Sequence, residues 1–133
     1  MKEVLSIDVN ITKVDTVKGS GREAIMIHFG GSCDCELFKG VILPGGVDTQ
    51  YQEDGGRRTL SARYVLEGKD NAGKDCQIFI ENNGTTDEDG KVKETIPKIV
   101  TDSETLSFLQ TAQLRGTIEG KEGGVIIHIC EVD

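Results

Sequence analysis

At 133 residues the chain is long enough for one domain with one core and too short for two. Its net charge of −8 disfavours a nucleic-acid surface, which needs clustered Lys and Arg to meet phosphates, and disfavours an anionic membrane face. Seventeen glycines against two prolines point to many strands joined by tight turns.

From the N-terminus, Val4 to Val17 is rich in β-branched residues and alternates with the two-residue period of a half-buried strand. Lys18-Gly19-Ser20-Gly21 is a turn. Ala24 to Gly30 follows with Ile25, Ile27 and Phe29 on one face and Ala24, Met26 and His28 on the other. Gly30-Gly31 is read as a reversal into a strand over Cys33 to Ile42. Leu43-Pro44-Gly45-Gly46 breaks the pattern, because Pro fixes φ and glycine permits positive φ.

A strand from about Val47 to Glu53 ends at the hairpin signal Asp54-Gly55-Gly56. In the next, Leu60, Ala62, Tyr64 and Leu66 alternate with Thr59, Ser61, Arg63 and Val65. Asp75 to Asn82 returns after Asn71-Ala72-Gly73. Thr86 to Gly90 is an acidic loop. Thr95 to Thr101 is a strand that Pro97 places at an edge or bulge. Asp102 to Gln110 is the one helical candidate, with Asp102 or Ser103 as N-cap. Gln113 to Glu119 and Val125 to Val132 form a closing hairpin. Both faces of the last strand are apolar: Val125, Ile127 and Ile129 can fill an interior, leaving Ile126, His128 and Cys130 for a helix or a second subunit.

About eight strands at even spacing describe an all-β domain over residues 1–133. Closure into an antiparallel up-and-down barrel would remove its exposed edges. No apolar run approaches the roughly 20 residues of a membrane span or the central segment of a secretory signal. The expected location is therefore cytoplasmic, with Cys33, Cys35, Cys76 and Cys130 as reduced thiols.

Gly40-Val41-Ile42-Leu43-Pro44-Gly45-Gly46-Val47-Asp48, Leu60-Ser61-Ala62-Arg63-Tyr64 and Asn82-Asn83-Gly84 together resemble the domain-of-unknown-function 3237 family. The resemblance runs in order over most of the chain. It implies an up-and-down barrel similar to those of allene oxide cyclase and dirigent proteins, and it supplies no reaction. The chain departs from the family pattern at Thr49, where Trp is usual, at Ser61, where Asp is usual, and at Asn83, where Arg is usual. If those positions line a pocket, this pocket has less aromatic surface and a different charge.

The chemistry-bearing candidates are few. Asp48 follows the Pro-Gly-Gly bend at a barrel mouth and with Arg63 would form a charged pair that orients a polar ligand group. The alternatives are an Asp48 that caps its own turn and an Arg63 on the solvent face of its strand. Asn82 is a pocket donor and acceptor, or a turn residue before Asn83-Gly84. His28 and His128 are the only histidines and lie beside apolar neighbours, where a structural role outweighs proton transfer.

Cys33-x-Cys35 lacks the spacing of structural zinc, so no metal is expected. No glycine run matches a phosphate cradle, so no cofactor is expected. Two functions follow. The first is binding of a small organic ligand in or at the mouth of the barrel by Asp48, Arg63 and Asn82, in a stronger form as a cofactor-free isomerase or cyclase. The second is a non-catalytic homo-oligomeric module with a side-chain-filled lumen.

Overall fold

Alternation of apolar and polar residues carries through into nine antiparallel strands in a computed structural model that describes residues 1–133. They are β1 (Lys2–Gly19), β2 (Arg22–Asp34), β3 (Phe38–Ile42), β4 (Val47–Glu53), β5 (Thr59–Asp70), β6 (Asp75–Thr85), β7 (Thr95–Thr101), β8 (Leu114–Lys121) and β9 (Gly124–Glu131). Each strand pairs with its sequence neighbour, except that β3 and β4 lie end to end between β2 and β5. Pairing of β1 with both β2 and β9 closes the ring. The nine strands thus fill eight staves of an up-and-down barrel. No helix is long and apolar enough to cross a membrane.

Leu43 to Gly46 breaks the shared stave. The Leu43 amide donates to the Val65 carbonyl at 2.8 Å and the Phe29 amide to the Gly46 carbonyl at 3.0 Å, so the break stays pinned on both sides. Gly45 has φ of 110°, a conformation that favours glycine.

Two expectations need correction. Gly30-Gly31 is not a reversal: β2 runs straight through it, and the chain turns at Cys35 to Leu37. Gly31 is there for close approach, since a Cβ would sit 1.9 Å from the Asp8 carbonyl oxygen of the neighbouring strand. The expected helix over Asp102 to Gln110 is only a 3-10 turn, Ser107–Gln110, because so short a segment does not offset the nucleation of an α-helix. Ser103 holds the preceding bend: its hydroxyl donates to Asp70 Oδ2 at 2.7 Å and accepts from the Leu106 amide at 3.1 Å.

Inward side chains fill one end of the barrel. Leu5, Leu66, Ile78, Ile80 and Ile129 are fully buried there, and Leu106 and Leu109 of the turn cap them. The β7–β8 seam is the thin part of the wall, with one ladder pair, Thr95 opposite Gly116. Pro97 lies opposite Asn82 of β6 on one side and has no ladder partner on the β8 side, where a missing amide is tolerated.

Candidate functional site

The other half of the lumen is open. A cavity of about 210 Å³ is lined by fourteen residues, eleven of them hydrophobic. Strand parity places the polar ones. Ile27 pairs with Asp48, Asp48 with Ala62 and Ala62 with Asn82, and directly opposed residues share a face. Ile27, Asp48, Ala62 and Asn82 therefore form one inward row across four strands, and all four line the cavity. Ile25, Gln50 and Leu60 form the next row toward the mouth. Tyr64, two residues along β5 from Ala62, forms the floor with Phe29; their rings meet edge to face with centroids 5.3 Å apart.

Three oxygens in this lining are buried with no hydrogen-bond partner: Asp48 Oδ1, Tyr64 OH and Asn82 Oδ1. Asn82 and Tyr64 are only 3% and 4% exposed. Each such group costs about 1–3 kcal/mol when left unpaired, so three in one lining single out this half of the lumen as the candidate site. The Gln50 side-chain amide donates to Asp48 Oδ2 at 2.9 Å, and the Ser61 backbone amide also favours the carboxylate. Burial pushes the Asp48 carboxyl above the usual aspartate range, opposed by the Gln50 and Ser61 amides. Burial likewise raises the Tyr64 hydroxyl well above the usual tyrosine range, so it stays protonated.

Arg63 is not part of this constellation. Its neighbours Ala62 and Tyr64 face inward, so Arg63 faces out; its side chain is 61% exposed and its Nε donates to Glu81 Oε2 at 3.2 Å. The expected Asp48–Arg63 pair does not form, and Asp48 has no cationic partner. Tyr64 is the residue that sequence reasoning passed over. The alternation that sends Arg63 out sends Tyr64 in, and that signal was present in the strand.

Thr49, Ser61 and Asn83 also leave the cavity wall unchanged. They pair with one another in a single row with Met26 and Ile96, on the face opposite the Asp48 row. The expectation that they alter the pocket is overturned by their parity. Both histidines are outward too. His28 Nε2 lies 3.1 Å from Asp15. His128 is held between Glu3 at 2.5 Å and Glu119 at 2.7 Å, and the Glu119 and Glu3 carboxylates raise its pKa. Cys33 Sγ donates to Cys35 Sγ at 3.3 Å, and all four cysteines are free.

A larger depression of about 830 Å³ lies outside the barrel beside Lys39, Lys69 and Asp75, with one hydrophobic residue in its lining. It is a solvated surface groove without enclosing apolar walls.

The model of a family described as a protein of unknown function, DUF3237, matches residues 1–119. The chain belongs to this family. A UPF0311 protein of Clostridium acetobutylicum is 35% identical over 86 residues, which is 62% of this chain and 52% of that protein. This chain thus spans about half the length of the curated relative it matches. A crystal structure of a beta-barrel like protein from Acinetobacter baumannii AYE superposes with a TM-score of 0.78 at 18% identity, covering 99% of this DUF3237 chain and 94% of that one. A crystal structure of an enzyme from Penicillium herquei superposes with a TM-score of 0.71 at 15% identity, covering 98% and 92%. At those identities the two structures establish the barrel and nothing about its chemistry.

Proposed function

We propose that this DUF3237 protein binds a small, mainly apolar organic molecule in the open half of its barrel, with Asp48, Tyr64 and Asn82 receiving the polar end. The observation that carries this reading is the set of three unpartnered buried oxygens in one apolar cavity. Size sets the class of guest. A cavity of about 150 Å³ holds benzene, so one of about 210 Å³ suits a single ring with a short substituent, or an aliphatic molecule of that bulk. Any proton transfer inside falls to Asp48, the one carboxyl in the lining, beside a Tyr64 hydroxyl held protonated by burial. The enzyme from Penicillium herquei shows that this fold can carry catalysis in at least one protein.

The test is NMR titration of the protein with toluene and phenol. Binding in the lumen should shift the signals of Tyr64, Ala62 and Asn82, and Ala62→Leu, which fills the cavity, should abolish those shifts. Absence of any lumen response to both probes would remove the binding reading.

A further inference from the structure

The charge balance of the cavity is lopsided. Among its fourteen lining residues are one carboxyl, Asp48, and no Lys, Arg or His. The unpartnered atoms are Asp48 Oδ1, Asn82 Oδ1 and Tyr64 OH. The first two are acceptors and the third can accept, whereas no cationic donor faces them. Arg63, which could have neutralised Asp48, is spent on Glu81 outside the barrel. Arg58 reaches the lining at Gln50 Oε1, 3.4 Å away, but is paired with Glu23 at 3.0 Å. A ligand bearing a carboxylate or phosphate would therefore meet a second negative charge with no unpaired cation to compensate it.

Resting on the reading of the cavity as a binding site, the geometry points to a protonated primary amine on a single-ring or equally small apolar body as the ligand. An ammonium group carries three donors and no acceptor, which suits a lining whose buried unpartnered polar atoms are all oxygens. Asp48 and Asn82 stand two strands apart on one inward row, about 9–10 Å between their backbones on a curved wall, and both side chains point into the enclosed space. Tyr64, one step deeper on β5, offers its hydroxyl from the floor, while Phe29, Leu60 and Ile127 receive the apolar body.

The test compares benzylamine, benzyl alcohol and benzoate by isothermal titration calorimetry on the full chain, with Asp48→Asn and Asn82→Leu alongside. These probes share one ring and differ in the charge of the polar end. Benzylamine should bind at least about tenfold more tightly than benzyl alcohol, since one charge-assisted contact replaces a neutral one, and benzoate should be the weakest. Asp48→Asn should weaken benzylamine about tenfold or more while leaving benzyl alcohol within about twofold. Asn82→Leu, which keeps the carboxylate, should weaken benzylamine by a smaller factor.

Benzyl alcohol or benzoate binding as tightly as benzylamine would overturn the amine assignment while leaving the cavity as a binding site. Equal losses of amine and alcohol in Asp48→Asn would overturn it as well. No binding of any of the three would overturn both readings together.

Discussion

Asp48 is kept where an aspartate is badly solvated. The residue is half-buried, its Oδ1 is out of solvent and unpartnered, and its pKa is raised above the ordinary value of 3.8. The sign of the linkage follows. A carboxyl with a raised native pKa favours folding fully below the unfolded-state value, and that contribution is lost as pH rises through the native value. At neutral pH Asp48 therefore weakens the empty protein. Asp48→Asn removes the charge and keeps the shape, so its melting temperature at pH 7 should exceed that of the parent by a few degrees. The gain should shrink as pH falls toward 3.8 and below, which differential scanning calorimetry across that range would show. A gain that grows in acid would mean that Asp48 is stabilised by its surroundings and is not waiting for a partner.

The same scale shows what a strand pattern can deliver. Parity along β5 separates Tyr64 from Arg63 without any structure, because neighbours on a strand point to opposite faces. Of the two readings of Arg63, a pocket charge or a solvent-face residue, alternation favours the second, and the fold places it there.

Among the elements, β7 and β8 are the weakest partners. Thr95 opposite Gly116 is their one ladder pair, and Thr95 is completely buried. A Cβ on Gly116 would lie 2.3 Å from Thr95 Oγ1 and 3.5 Å from Asn82 Oδ1. A buried β-branched side chain has few rotamers in which to escape. Gly116→Ala should therefore cost about 1–3 kcal/mol in urea unfolding, the range for overpacking a core. Thr95→Ala removes the colliding oxygen, so the double variant should recover part of that loss, and a strictly additive double variant would show that the strain lies elsewhere. This contact was not legible beforehand. Local pattern marks a glycine as permissive, but which backbone it must let approach depends on pairing across the ring. Gly31 makes the same point, read locally as a reversal and found to be a point of contact between strands.

For the whole molecule, the decisive feature is a lumen packed at one end and empty at the other. Ile78 is in the packed half, fully buried, whereas Leu60 borders the cavity. Truncating Ile78 to Ala should cost about 2–5 kcal/mol, as for a well-packed core residue. Leu60→Ala loses fewer contacts and should cost about half as much, because one side of it already faces empty space. Equal losses in chemical denaturation would mean that the two halves are equally packed. The meander, the approximate strand count and the shared face of Ile25, Ile27 and Phe29 were all legible from alternation and turn residues. The asymmetry of the filling was not. It depends on the turn bearing Leu106 and Leu109 folding over one end, a contact between residues far apart in the chain.

The divided stave also bears on how such a cavity can change over time. β3 takes its register from Ser32 to Asp34 and from Leu66 to Asp70, whereas β4 takes its register from Arg22 to His28 and from Thr59 to Arg63. Neither half inherits its alignment from the other. A residue gained or lost between Leu43 and Gly46 is absorbed at the break, and Asp48 keeps facing inward because its own neighbours hold it there. In an unbroken strand the same change would turn every later side chain to the opposite face. Between its two pinned ends the loop is thus free to vary in length without disturbing the carboxylate beside it.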